Sequence, residues 1–297
     1  MVRYIWNSRQ TMTKFYSIFF ALLSTITFAQ TGLLDELDAT LATEPVYAES
    51  AFKGLKIINL ESTKIVDKGE AYFIIAHRFG SVQGGFDDFF GLDVASNKLQ
   101  LIYGLTENIN FGVARSSYQK TYAFHTKLRL LRQQNEKSPI TVGAYGQLTI
   151  NNSLNLDANP NLNASHRLTY TAQAMVSRKW NEKLSVQFSP TLVHKNLTEF
   201  DSEKNMQFIL AAGGRYKLSK RISLNMDYGW ATNRAEEINA NNMLSLGLDI
   251  ETGGHVFQLH FTNSRSMLEH SFLTEARGDW IEGNVYFGFN ISRVFDW

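Results

Sequence analysis

The residues best placed by type and spacing to do chemistry come early in the chain, where His77 and Arg78 precede Asp87, Asp88 and Asp93 in the glycine-rich stretch Gly80–Asn97. An arginine that meets carboxylates from a neighbouring loop can do one of two things. It can fix that loop in one geometry through bidentate hydrogen bonds, or it can gate an ion or ligand path. The clasp is the plainer expectation for His77, Arg78, Asp87, Asp88 and Asp93. Three carboxylates so close could also hold calcium, but their spacing departs from the D-x-D-x-D-G loop, so no metal site is expected.

A second set is spread along the chain. Arg78, Lys98, Lys127, Arg129, Arg167, Lys195, Arg215, Lys217 and Arg221 share the polar side of alternating segments, against the fewer acids Glu70, Asp227, Asp249, Glu251 and Asp296. Lysine and arginine rings inside a pore bias passage toward anions. The same charges could instead pair across strands and fill a closed interior. Catalysis has less support. The chain contains no cysteine, so it has no thiolate nucleophile, cysteine metal site or disulfide. HExxH, GxSxG and phosphate-binding glycine loops are absent, and His125, His194 and His260 are spread over separate segments without a matching serine. No catalytic residue and no cofactor are expected. A net charge of +1 offers no field for nucleic acid.

The elements that must carry these residues show a period of two. From residue 70 onward, stretches of alternating side chains are separated by turns that are short and long in turn. Phe124, Leu128 and Leu130 oppose His125, Lys127 and Arg129; Leu224, Met226, Tyr228 and Trp230 oppose Ser223, Asn225, Asp227 and Gly229. Successive side chains on a strand point to opposite faces, so each stretch has one apolar and one polar wall. The stretches are longer than the usual five or six residues and match the ~9–11 residues that a tilted strand needs to cross a bilayer. The turns at Leu105–Asn108, Trp180–Lys183, Leu218–Arg221 and Glu251–Gly254 are tight, whereas residues 151–166, 196–205, 231–242 and 264–283 form long polar loops. Trp180, Tyr216, Trp230, Trp280, Tyr286, Phe295 and Trp297 gather at strand ends, where rings with one wet and one apolar side belong. These features predict an all-β fold: a closed antiparallel transmembrane β-barrel of about twelve strands over residues 54–297, placed in a bacterial outer membrane. Strands are expected near 70–79, 98–105, 108–117, 121–132, 139–150, 167–179, 183–195, 205–217, 221–231, 242–251, 254–263 and 284–296.

The region before the barrel reads differently. Residues 1–29 have the basic and apolar pattern of a signal peptide, with Met12 as an alternative start and a cut after Ala29. Residues 30–53 carry Leu33, Leu34, Leu37 and Leu41 on one helical face, which predicts a short N-terminal helix on the periplasmic side. Leu55–Val66 alternates weakly, and a thirteenth strand, a hairpin against the first strand and part of a plug all remain open.

Several blocks carry a family resemblance. They are Leu-Leu-Asp-Glu-Leu at 33–37, Ala51-Phe52-Lys53-Gly54, Ile75-Ala76-His77-Arg78-Phe79-Gly80, Phe90-Gly91-Leu92-Asp93-Val94-Ala95, Tyr103-Gly104-Leu105-Thr106 and Arg115-Ser116-Ser117. On these residues the stretch from Leu33 to Arg132 resembles an uncharacterised outer-membrane β-barrel family, a domain of unknown function, known from Bacteroidota. The resemblance implies a membrane barrel and assigns no substrate or catalytic residue.

Two functional readings follow. In the first, the barrel is a passive pore or transporter for small polar or anionic solutes with a basic lumen. In the second, it is a non-conducting structural or docking barrel whose long external loops, 151–166 and 264–283, bind a protein partner. Either would sit among outer-membrane lipid and lipopolysaccharide and depend on barrel-insertion machinery.

Overall fold

The computed structural model describes residues 47–48, 50–134, 137–252 and 254–295. The leader expected over 1–29, most of the helix expected over 30–53, Asp296 and Trp297 lie outside the described residues. The strands are β1 (Ala71–Ser81), β2 (Ala95–Thr106), β3 (Ile109–Ser116), β4 (Thr121–Leu131), β5 (Thr141–Asn151), β6 (Leu168–Lys179), β7 (Leu184–Lys195), β8 (Met206–Lys217), β9 (Ile222–Ala231), β10 (Met243–Thr252), β11 (His255–Thr262) and β12 (Tyr286–Phe295). Every strand expected from the alternation is present, with ends moved by a few residues.

Each strand pairs antiparallel with its neighbours in sequence. β1 also pairs with β12, from Ala71 opposite Phe295 to Arg78 opposite Gly288, so the twelve strands close into a barrel. Closure is what hydrocarbon demands of a sheet: an open edge would leave backbone N–H and C=O groups unpaired where no water can reach them.

Alternation decides what each wall presents. On β9 the side chains of Ile222, Leu224, Met226, Tyr228 and Trp230 lie on the outer surface, while Ser223, Asn225 and Asp227 are buried inside. Phe124 and Phe188 are likewise outward, and Lys127 is inward and only 4% exposed. Trp180, Tyr216 and Trp230 stand exposed at strand ends. The outer wall is therefore apolar with aromatic rims, and the inner wall carries the polar set.

The interior is not uniformly polar, and it is not empty. Val193, Ile209, Ala211, Ala231 and Met243 point inward from β7–β10 and pack with Phe52, Ile57 and Leu60 of the segment before β1. Phe272 and Leu273 of the β11–β12 loop complete this cluster. That loop contains a short helix, α1 (Glu269–Thr274), all of whose residues are buried. Two glycines make room for the packing. A Cβ on Gly213 would stand 2.6 Å from Ile57 Cδ1, and one on Gly229 would stand 2.9 Å from Leu273 Cδ2.

Candidate functional site

The candidate site is the lumen and the chain segment that fills it. Residues 51–66 form a narrow hairpin inside the barrel: Ile57 N–H donates to Leu60 O at 2.8 Å and Ser62 N–H to Leu55 O at 2.9 Å. Phe52, Leu55, Ile57, Ile58, Leu60, Ile65 and Val66 are all buried, so the hairpin is a plug and not a thirteenth strand.

Its tip is tied to four strands. The Asp227 Oδ2 on β9 accepts the backbone N–H groups of Ile58 at 3.2 Å, Asn59 at 2.7 Å and Leu60 at 2.9 Å. Asn59 donates through Nδ2 to Ser245 of β10 and Thr262 of β11, and its Oδ1 accepts from Arg78 Nη2 of β1 at 3.0 Å. A tight turn leaves its backbone N–H groups without partners, and one buried carboxylate satisfies three of them here.

Below the tip lies an ion network. Glu61 stands 2.7 Å from both Lys56 and Lys127, and Lys56 also pairs with Glu269 of α1 at 2.5 Å. The second oxygen of Glu269 accepts from Gln147 Nε2 at 2.6 Å. Burial alone would pull Lys56 down, yet Glu269 and Glu61 together hold it above its ordinary value. Burial would likewise raise Glu61, but Lys127 and Lys56 keep it well below the usual carboxylate range. Glu269 is lowered too, against its burial, by Lys56 and Lys98. Lys56, Glu61 and Glu269 are therefore held in their charged forms. Removing one partner of such a buried pair typically costs ~3–5 kcal/mol, because it strands the other charge.

The charges of the wall are unevenly distributed. β1–β8 contain no aspartate or glutamate, and the only strand acids are Asp227 on β9 with Asp249 and Glu251 on β10. The carboxylates that meet Lys127 and Lys195 come from elsewhere: Glu61 from the plug, and Glu203 and Glu275 from loops. Arg215 is the exception, pairing within the wall with Glu251 at 2.6 Å. At the long-loop end a hollow of about 340 Å³ is lined by Arg167, Lys195, His270, Glu275 and Arg277. At the short-turn end another of about 550 Å³ is lined by Tyr47, Arg129, Arg132 and Lys137. The plug lies in the lumen between the two ends.

Several expected placements need correction. The clasp does not form. Arg78 points into the lumen and donates to Ser264 O and Asn59 Oδ1, whereas Asp88 accepts from Gly91 N–H inside its own loop and Asp87 and Asp93 are not among its partners. Strand parity sends Arg78 inward while the loop stays on the outer rim, so the two sets cannot meet. His77 faces outward and stacks on Phe289 with ring centres 5.1 Å apart. Among the proposed lumen cations, Lys98, Lys127, Lys195 and Arg215 are buried inside with Arg78. Arg129 instead holds Asn108 and Glu107 of the β2–β3 turn, and Arg167 holds Leu154 O at the opposite rim. Arg221 precedes β9 in an exposed turn and lines nothing. Sequence reasoning passed over Lys56, Asn59, Glu61 and Glu269. The missed signal was charge placement: β1–β8 carry lysines and arginines on every strand but β5 and not one acid, so the balancing carboxylates had to come from outside these eight strands.

No curated protein matches the chain. In fold it is similar to the outer membrane channel from Pseudomonas putida F1, at 15% identity over 78% of this chain and 97% of that one, with a TM-score of 0.48. It is also similar to the KdgM porin, at 7% identity over 77% and 99% with a TM-score of 0.43. A third is the Acinetobacter baumannii outer membrane protein Omp33, at 8% identity over 77% and 99% with a TM-score of 0.43. The family profile described as membrane bound beta barrel domain (DUF5777) matches residues 52–295, a span that takes in both the plug and the closed sheet, and the chain belongs to that family.

Proposed function

We propose that this protein is an outer-membrane barrel that carries small polar or anionic solutes and is shut at rest by its own segment over residues 51–66. One observation carries the reading: the passage is blocked by a separate piece of chain, and the wall behind that piece is largely amide and hydroxyl. Gln100, Gln147, Thr171, Gln173, Ser177 and Gln187 line it, all buried. Such a surface suits a hydrated solute once the plug moves aside. On this reading the chain is exported through the 1–29 leader, sits among outer-membrane lipid and lipopolysaccharide, and reaches them through barrel-insertion machinery. The basic wall would favour anions only in the open state, because plug and loop carboxylates neutralise much of it in the closed one.

Planar-bilayer recording tests the proposal. The intact protein should be silent, and Asp227→Ala, which frees the plug tip, should produce discrete steps with anion preference. A loosened plug that still conducts nothing would refute transport.

The non-conducting half of a second reading, the docking barrel, is favoured by the apolar packing of Phe52, Ile57 and Leu60 against Phe272 and Leu273, a packing that takes part of the 264–283 loop inside and leaves 151–166 as the docking loop. Burial of this kind contributes ~1.5–3 kcal/mol per large side chain, so spontaneous opening is rare. Persistent silence of every plug variant would support it.

A further inference from the structure

The partners of two wall lysines point to what the lumen binds. Lys127 Nζ donates to Leu55 O, Ser62 O and Lys64 O and pairs with Glu61; each of these groups belongs to the plug segment or the residues just beyond it. Lys98 Nζ donates to Met267 O of the β11–β12 loop at 3.0 Å and feels the charges of Glu269 and Glu61. Neither lysine has an acceptor on the wall that carries it. An ammonium group in a low-dielectric interior needs a counter-charge, and β1–β8 supply none. Around the two lysines, Gln100 Oε1, His125 Nδ1 and Gln147 Oε1 are buried and lack a hydrogen-bond partner among the described residues. The wall is thus built as a basic, hydrogen-bonding surface, and the acids that complete it ride on two elements that are not part of it.

We propose that Lys127, on the lumen face of β4, forms a binding site for a carboxylate-bearing solute, with Lys98 of β2 as a second wall ammonium and with Glu61 as the resident occupant, beside Glu269 that pairs with Lys56 of the plug. Solute and plug then compete for the Lys127 ammonium group. A carboxylate arriving in the lumen replaces the Glu61 carboxylate on Lys127, and the plug loses the charge contact that ties its lower half to the wall. The closed state is in this sense self-inhibited: the chain carries its own imitation of the ligand, at an effective concentration that a free anion must outcompete. Carboxylate is the class because Glu61 and Glu269 are both carboxylates, held by ammonium groups and, for Glu269, by the Gln147 amide. This deepens the transport reading by naming its solute class and its control, and it rests on that reading for passage but not for binding.

The experiment is calorimetry on the purified full-length barrel, titrated with malonate against sodium chloride of equal ionic strength. Glu61→Gln with Glu269→Gln vacates the charge and keeps the shape, and this variant should bind malonate at least about tenfold more tightly than the parent. Adding Lys98→Met and Lys127→Met should return binding to the parental level. Equal affinity in the parent and the Gln variant overturns the site, as does tighter-than-parental binding that survives loss of both lysines. Inorganic phosphate binding as tightly as malonate overturns the carboxylate assignment. A second measurement needs no charge variant. In a Ser62→Cys chain that is otherwise unchanged, malonate should speed labelling of the buried thiol about tenfold with saturation, whereas chloride should not. A rate that ignores malonate also overturns the proposal. Malonate binding in a barrel that never conducts would leave the site standing and remove transport; conductance without malonate binding would do the reverse.

Discussion

Asp227→Ala is the sharpest probe of how the lumen is kept shut. The substitution deletes the oxygen that accepts three backbone N–H groups of the plug tip, at 3.2, 2.7 and 2.9 Å. Hydrogen bonds to a charged group contribute ~1.5–3 kcal/mol each. Three donors that share one oxygen are not additive, so the lower end applies and the docked plug should lose about 4 kcal/mol. Arg78, which faces Asp227, loses the same counter-charge in the docked and released states, and that contribution cancels to first order. At 1.4 kcal/mol per decade the released fraction should rise about a thousandfold. Asp227→Asn keeps an acceptor oxygen but drops its charge, and about half the free energy should be lost, roughly a thirtyfold rise. The chain has no native cysteine, so Ser62→Cys provides a single thiol at a fully buried plug position. Its labelling by a small water-soluble reagent reports release when opening is fast relative to reaction. The order parent, Asn, Ala is the expected result. Rates within about threefold of one another, in barrels that remain folded by heat-modifiable gel mobility, would show that this carboxylate does not hold the plug.

Other perturbations test other parts of the architecture. Gly213→Ala places a Cβ 2.6 Å from Ile57 Cδ1, and overpacking of ~1–3 kcal/mol should raise Ser62→Cys labelling; Ile57→Val, which removes that methyl, should restore the parental rate. His270 on α1 faces Glu275, Lys195, Glu269 and Lys98, and burial pushes its imidazole down to about 4. A released loop takes up a proton near pH 6.5, whereas the docked one refuses it until about pH 4, so docking should weaken progressively across that window by roughly 3 kcal/mol. Glu269 and Glu275 are held below the ordinary carboxylate range and stay ionised there, so their contribution is lost only at lower pH. Labelling of Ser271→Cys, divided by the rate of a free thiol at the same pH because only the thiolate reacts, should therefore rise on acidification and should flatten in a His270→Gln background. Phe188 lies near the middle of β7 on the outer wall, and Phe188→Arg should cost ~2–4 kcal/mol in unfolding from lipid vesicles, with Phe188→Leu close to neutral. An arginine tolerated there would place that face in water.

The barrel was legible in the sequence because strand parity is a local signal that a single strand already contains. Ile222 to Trp230 alternates without interruption, and burial follows the alternation residue by residue. The plug was not legible for the converse reason. Leu55–Val66 alternates only weakly, and its apolar residues pack inside the barrel against Val193, Ile209 and Met243, partners more than a hundred positions away. Inward apolar residues on β7–β10 were readable as exceptions to a polar face, but what they touched was not. The clasp failed on a similar point: sequence proximity put Asp87 and Asp88 near Arg78, while the alternation that turned Arg78 inward had already separated them.

Two acids of the buried ion network flank the seam. Glu61 precedes β1, the first strand, and Glu269 precedes β12, the last, and these strands pair only with each other and with one neighbour apiece. A nascent sheet of β2–β8 therefore holds Lys127 without a carboxylate partner, although Glu203 of its own β7–β8 loop can already meet Lys195. Joining the first strand to the last brings Glu61 and Glu269 inside at once. Ring closure and neutralisation around Lys127 are in effect one event, which couples the last step of assembly to a sealed lumen.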